Sequence, residues 1–130
     1  MVASSSGRFR AGQIVIAAPL DKLGRDALPK EPNKLRPAVV VEEELLFAPN
    51  YPNVILVPLT DDERLAIADL AVVIEPSREN GCPKRCWALS HCVATTSVGR
   101  LRGTEASITK EQLAMIRRQI AFALGLEVRG

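Results

Sequence analysis

Short apolar runs rich in β-branched residues recur along this chain, and this pattern limits the fold to one built mainly from strands. The runs are "QIVIAAP" (residues 13–19), "RPAVVVEE" (36–43), "NVILVPLT" (53–60), "IADLAVVIEP" (67–76) and "RCWALSHCVATT" (85–96). In the second run every residue of 38–41 is apolar, which is typical of a strand covered on both faces. We therefore expect a small sheet of short strands.

A single helix follows the strands. Thr109 and Gln112 form a T-x-x-Q capping box at the start of "KEQLAMIRRQIAFAL" (110–124), and Gly125 is a suitable stop. One apolar stripe at helical spacing predicts the side that faces the core: Leu113, Ile116, Ile120, Ala123 and Leu124. The 130 residues correspond to one domain, of which we expect residues 1–11 to be flexible. The predicted fold is mainly β with α: a small, strongly bent sheet or antiparallel barrel capped by a C-terminal helix.

Two apolar residues of this helix, Met115 and Phe122, lie away from the predicted core stripe. They are seven residues apart and therefore share one side of the helix. A solvated face has no need of them, so we predict a contact surface for a homodimer or a partner protein; incidental exposure is the alternative.

Composition limits the classes of protein to which the chain can belong. No apolar run approaches the roughly 18 residues that a membrane span needs. The N-terminal "MVASSSGRFRAG" contains no apolar stretch typical of a secretory signal. Three cysteines, an odd number, argue against a disulfide scaffold and fit a reducing compartment. We expect a cytoplasmic protein without a membrane partner.

Charge is distributed in blocks along the chain. Residues 22–36 contain five basic residues against two acidic ones, residues 42–75 contain eight acidic residues against one arginine, and residues 78–102 contain five basic residues against one glutamate. If the fold joins the two basic blocks, they form one surface for a polyanion; a solvated surface of mixed charge is the alternative. The cations singled out as binding candidates are Lys22, Arg25, Lys30, Lys34, Arg85 and Arg100. The long polar connection 20–34 is a candidate lid.

The second and third runs place an arginine near a threonine. Pro37 favours an extended Arg36 at the start of the second strand. A symmetric hairpin with its turn near Ala48 brings Arg36 opposite Thr60. A guanidinium fork beside a hydroxyl suits the oxygens of a phosphodiester, whereas the alternative is a surface arginine near a strand-terminal threonine.

Five segments, in this order and spacing, resemble the MazF/PemK (Kid) family of toxin endoribonucleases. They are "AGQIVIAAP", "KLRPAVVV", "VILVPLT", "GRL" (99–101) and the closing "LGL", and the resemblance spans about residues 12–126. The resemblance implies an SH3-like barrel of the MazF-CcdB type in a homodimer. It also implies cleavage of single-stranded RNA, chiefly messenger RNA, without metal or cofactor, and neutralisation by a small antitoxin.

In the chemistry that the resemblance implies, the ribose 2′-hydroxyl attacks the adjacent phosphorus and leaves a 2′,3′-cyclic phosphate and a 5′-hydroxyl; DNA lacks this nucleophile. By the matched motif, Arg36 acts as acid or stabilises the phosphate, and Thr60, in a Pro-Leu-Thr-like position, orients the phosphate or the base. Many members carry an arginine and an aspartate before the "RL" dipeptide, where this chain reads "ATTSV" (94–98). The general base is therefore unassigned; the acid/base candidates are Asp61, Asp62 and His91.

Two other functions remain open at this point. A stretch of residues 86–101, "CWALSHCVATTSVGRL", has a faint similarity to CcdB-type gyrase poisons, but the chain ends "LEVRG" and not in that family's Trp-Gly-Ile. A toxin that has lost catalysis and only binds its antitoxin is the other alternative.

The cysteines and the single histidine do not predict a metal site. Cys82, Cys86, His91 and Cys92 have the spacing C-x3-C-x4-H-C, which is not a usual zinc pattern. If residues 85–96 form one strand, His91 and Cys92 point to opposite faces. We then expect His91 to be hydrogen-bonded on the face that carries Trp87, with Cys86 and Cys92 on a face of small residues.

Overall fold

The computed structural model describes residues 8–18 and 36–126, and within them it contains seven strands and one α-helix. These elements are β1 (Gln13–Ala17), β2 (Arg36–Val40), β3 (Asn53–Thr60), β4 (Ala71–Ile74), β5 (Cys86–Leu89), β6 (Ala94–Ser97), β7 (Leu101–Ser107) and α1 (Lys110–Ala123). Short 3-10 turns lie at Glu44–Leu46, Glu63–Leu65, Ser90–Cys92 and Val98–Arg100. The predicted fold class, mainly β with one C-terminal helix, is confirmed.

The strands form one antiparallel sheet in the order β4-β5-β3-β2-β1-β7. The longest strand, β3, has β2 along one side; on its other side the first half pairs with β6 and the last two residues with β5. Among the described strands β4 and β7 do not pair, so of the two predicted forms, a bent sheet or a barrel, the structure has the open sheet. The end of β7 instead bonds to the loop after β4, through Ser107 N and Glu79 O at 3.0 Å.

Both faces of the central strands are buried. The core consists of two hydrophobic clusters, and the larger one lies between the sheet and α1. Along β2, Val39 packs into this larger cluster, while Ala38 and Val40 pack into the second cluster on the other face of the sheet. The larger cluster includes Val57 of β3 and Ile116 of α1, both fully buried. The prediction that the "RPAVVVEE" strand is covered on both faces is therefore confirmed.

Helix α1 begins as the sequence predicted. The Thr109 hydroxyl accepts from Gln112 N at 3.0 Å, and the Gln112 side chain accepts from Thr109 N at 2.9 Å, which completes the capping box. The core stripe is shorter than predicted: Leu113, Ile116 and Ile120 pack on the core, whereas Ala123 and Leu124 are exposed. The last turn of the helix therefore adds no side chain of the predicted stripe to the core.

Residues 8–11 are attached to the rest of the described fold. The Arg8 guanidinium forms an ion pair with Glu42, and Ala11 N donates to the Glu44 carboxylate at 2.6 Å. From the other side, Arg117 of α1 donates to the Glu42 carbonyl oxygen at 3.0 Å. Residues 8–11, which the sequence grouped with a flexible N-terminus, are thus held by buried and half-buried contacts.

The run "RCWALSHCVATT" does not form the single strand that the sequence predicted. It is divided into β5 and β6 by the 3-10 turn at residues 90–92. Ser90 is fully buried, donates its hydroxyl to Gln119 Oε1 at 2.7 Å, and bonds through its amide to Leu70 O at 2.9 Å. These contacts with the helix and with the turn before β4 bend the backbone at Ser90.

Within the described ranges α1 is the one α-helix, and it falls short of the length and apolarity needed to cross a bilayer.

Candidate active site

An open cavity of about 700 Å³ lies where β2 begins and β3 ends. Its apolar wall comes from β1 and β3, with Ile14, Ile16 and Leu59 among its members. The loop between β4 and β5 closes one side. The polar side chains that line the cavity are Arg36, Thr60, Asp61, Asn80, Lys84 and Thr104.

The register of the hairpin brings the two predicted catalytic residues to this cavity. β2 and β3 pair Ala38 with Pro58 and Val39 with Val57. The same register, continued by two residues, places Arg36 opposite Thr60, as the sequence predicted, and both side chains line the cavity. Arg36 is exposed and Thr60 is half-buried.

Neither of these two side chains has a bond that would keep a ligand away. Within the described part of the chain, the Arg36 guanidinium has no hydrogen-bond or ion-pair partner. The Thr60 hydroxyl accepts from Asp62 N at 3.1 Å, and a hydroxyl that accepts one bond can still donate its own proton. Arg36 can therefore offer a permanent positive charge, and Thr60 a neutral hydrogen-bond donor, to the same anion.

The two aspartates after β3 have different surroundings. Asp61 lines the cavity, and its carboxylate is 2.9 Å from Lys84 Nζ; this hydrogen bond and the lysine charge lower the pKa of Asp61. Asp62 caps the following 3-10 turn and accepts two bonds of 2.9 Å from the Arg64 guanidinium, which lower the pKa of Asp62. Asp61 is thus an ionised group of the cavity, and Asp62 is not among its lining residues.

The predicted binding cations that the structure describes are both engaged elsewhere. Arg85 pairs with Glu75 at 2.8 Å, which raises the pKa of Arg85, and it does not line the cavity. Arg100 donates to the carbonyl oxygen of Ala18, and the Ala18 amide donates to the Arg100 carbonyl at 3.1 Å, so Arg100 fastens the end of β1. The other four candidates lie outside the described residues: Lys22, Arg25, Lys30 and Lys34.

His91 does not belong to the cavity. It lies in the 3-10 turn between β5 and β6, which packs against α1, and its Nε2 is 3.5 Å from Cys92 Sγ. The sequence assigned His91 and Cys92 to opposite faces of a strand, and this assignment was wrong because the chain turns at Ser90. Of the acid/base candidates, only Asp61 is among the cavity residues.

Two thiols form part of the cavity wall. The Sγ atoms of Cys82 and Cys86 are 3.7 Å apart, and both residues line the cavity as free cysteines. Burial, together with the neighbouring Cys82, raises the pKa of Cys86 to about 12. Cys86 is therefore a neutral, apolar group at ordinary pH. In the described part of the chain no group of three or more histidine, cysteine or acidic side chains could hold a metal ion.

The sequence reasoning missed Asn80 and Lys84. Asn80 is buried; its side-chain oxygen accepts from Ser77 N at 3.0 Å and Cys82 N at 2.8 Å, and its amide donates to Glu75 O at 2.8 Å. These bonds shape the loop that carries Lys84 to the cavity. The turn residues of "SRENGCPK" were a signal for a defined loop, but not for its direction.

The predicted contact residues of α1 are exposed as expected. Phe122 is 62% exposed and Met115 is 48% exposed, and the nearby Leu124 and Leu126 are exposed as well. The contact itself stays a prediction.

The sequence matches one protein-family model, described as PemK-like, MazF-like toxin of type II toxin-antitoxin system, over residues 10–124. No curated protein is a significant sequence match.

Solved structures share the fold at low sequence identity. Mycobacterium tuberculosis toxin MazF-mt6 superposes with a TM-score of 0.66 at 20% identity, covering 89% of this chain and 99% of that one. An endoribonuclease in complex with its cognate antitoxin, from a mycobacterial species, has a TM-score of 0.68 at 17% identity and covers 94% of this chain and 100% of that one. A MazE-MazF structure from Deinococcus radiodurans has a TM-score of 0.66 at 17% identity and covers 92% of this chain and 98% of that one. Because the family match covers most of its length, the chain belongs to the PemK-like, MazF-like toxins of type II toxin-antitoxin systems.

Proposed function

We propose that this chain is a cytoplasmic toxin that cleaves single-stranded RNA without metal and is neutralised by a small antitoxin. The observation that carries the proposal is the shared position of Arg36 and Thr60 in one open cavity, in a chain of this toxin family. Two of the similar structures support it, since one is an endoribonuclease with its cognate antitoxin and another is a MazE-MazF structure.

The cavity residues match the needs of transesterification at phosphorus. The O2′–P bond forms while the P–O5′ bond breaks, so negative charge builds up on the non-bridging oxygens. The Arg36 guanidinium stabilises that charge and donates a proton or hydrogen bond toward O5′, while the Thr60 hydroxyl orients the phosphate. The products are a 2′,3′-cyclic phosphate and a 5′-hydroxyl.

The proton of the 2′-hydroxyl needs an acceptor, and among the described residues Asp61 is the one carboxylate that lines the cavity. Its lowered pKa keeps it ionised but makes it a weak base while Lys84 is bound to it. We therefore assign Arg36 and Thr60 to the reaction and leave the base to experiment.

The test is end-mapping of a defined single-stranded RNA incubated with the purified protein and EDTA. We expect cleavage with 2′,3′-cyclic phosphate and 5′-hydroxyl ends, and no cleavage of DNA of the same sequence. Arg36→Ala should lower kcat by roughly 100-fold or more, as removal of one transition-state donor does.

Arg64→Ala is the matched control, because Arg64 is an exposed arginine of similar charge outside the cavity. RNA that stays intact at a large molar excess of protein, or an Arg36→Ala variant as active as Arg64→Ala, would contradict the proposal. Antitoxin binding without RNA cleavage would instead identify a toxin that only binds.

A further inference from the structure

Lys84 and Asp61 form an ion pair inside the cavity that contains Arg36 and Thr60. Lys84 comes from the loop between β4 and β5, and Asp61 directly follows β3. Their charged atoms are 2.9 Å apart, although the side chains are 70% and 54% exposed. The pair therefore joins two separate parts of the chain across one wall of the cavity.

Exposed ion pairs contribute little to stability, because water screens them and two long side chains must be ordered. The described residues contain two other exposed pairs of this kind, Asp62 with Arg64 and Glu75 with Arg85, but neither pair lines the cavity. Stability alone thus gives no reason for the position of Lys84. Its ammonium is a compact charge on a flexible stem, which can move from one anion to another at small cost.

The loop that carries Lys84 is held in place from within. Asn80 is buried and bonds to Ser77, Cys82 and Glu75, and these contacts fix the backbone shortly before Lys84. The lysine is therefore directed to the cavity by a defined loop conformation. An anionic polymer bound at Arg36 and Thr60 therefore occupies the same cavity as the positive charge of Lys84.

We propose that Lys84 is a second phosphate-binding residue of this site. When RNA binds, Lys84 separates from Asp61 and contacts the phosphate next to the one that Arg36 binds. The proposal rests on the proposed function, in that single-stranded RNA is the ligand. Asp61 is then a competitor of RNA for Lys84, and the ion pair is the state of the site without RNA.

The test measures binding of a single-stranded RNA made uncleavable by 2′-O-methylation, over a series of salt concentrations, with Lys84→Met, Asp61→Asn and the control Arg64→Met. Each phosphate contact contributes about 0.7 to the slope of log affinity against log salt for a single strand. Lys84→Met should lower this slope by about 0.7 and weaken binding by roughly tenfold. Arg64→Met should leave the slope unchanged, and Lys84→Arg should restore it.

Asp61→Asn should tighten binding, because RNA no longer competes with a carboxylate for Lys84. In cleavage assays Lys84→Met should raise KM much more than it lowers kcat. An unchanged salt slope in Lys84→Met, or weaker binding in Asp61→Asn, would overturn the assignment of Lys84.

These outcomes separate the two proposals. If the wild type cleaves RNA and Lys84→Met leaves the salt slope of binding unchanged, only the role of Lys84 is refuted. If RNA binding depends on Lys84 but the wild type does not cleave, only the nuclease proposal is refuted. A wild-type protein that neither binds nor cleaves the RNA overturns both.

Discussion

Replacing Arg8 by methionine should remove several kcal/mol from the free energy of unfolding, although Arg8 lies close to the start of the chain. The side chains of Arg8 and Glu42 are 5% and 0% exposed. Arg8 also donates to the carbonyl oxygens of Tyr51 (2.6 Å) and Asn53 (3.2 Å). Methionine fills much of the same volume but cannot pair with the buried Glu42 carboxylate. Of the contacts described here, that carboxylate then keeps the hydrogen bond from the Ile55 amide at 3.0 Å.

Removing one partner of a buried ion pair typically costs about 3–5 kcal/mol. For a chain of 130 residues the entropy of unfolding is about 0.27 kcal/mol per degree, so the thermal midpoint should fall by about 11–18 °C. Replacing both residues by methionine should recover most of this loss, because two apolar side chains need no compensating charge. Urea unfolding followed by circular dichroism, at one fixed protein concentration, measures each variant.

Arg64→Met is again the control, since water screens the Asp62–Arg64 pair and its loss should hardly change the stability. A loss below about 1 kcal/mol in Arg8→Met would refute the reasoning from burial. So would a double variant no more stable than the single one, because the cost would then not come from the unpaired carboxylate.

Two further predictions concern the thiols and the helix surface. At pH 8 iodoacetamide should modify the exposed Cys92 first and Cys86 last, as measured by peptide mass mapping. The rate at Cys86 should rise with pH because burial raises the pKa of its thiol to about 12. Rapid modification of Cys86 in the folded protein would contradict this. If Phe122 belongs to a contact between two copies, Phe122→Glu should shift the mass measured by light scattering from dimer to monomer. Lys110→Glu, at an exposed position on another side of α1, should not; a dimer that persists in Phe122→Glu would exclude this contact.

The position of Arg36 opposite Thr60 could be predicted from sequence because it depends on local information. Two apolar runs of similar length flank one connection, and in a hairpin the connection sets the register of the two strands. The capping box at Thr109 depends on residues only three apart and was predicted for the same reason.

The features that sequence reasoning missed depend on contacts between distant residues. The bend at Ser90 arises from its bond to Gln119, 29 residues further along the chain, whereas the local run favours a continuous strand. Lys84 reaches the cavity because Asn80 sets the direction of its loop, and nothing in the composition of that loop indicates the direction. Leu124 is exposed although it lies on the predicted core stripe, because helical periodicity gives the direction of a side chain and not whether core atoms lie opposite it.

The double pairing of β3 gives the two main cavity residues unequal freedom. Thr60 ends a strand that is bonded to β2 on one side and to β6 and β5 on the other, so displacing its backbone would break several ladder bonds at once. Arg36 has a long side chain with many rotamers at the exposed start of β2. Any adjustment to the shape of a ligand must therefore come from the guanidinium, while the hydroxyl acts as the fixed point against which that ligand is aligned.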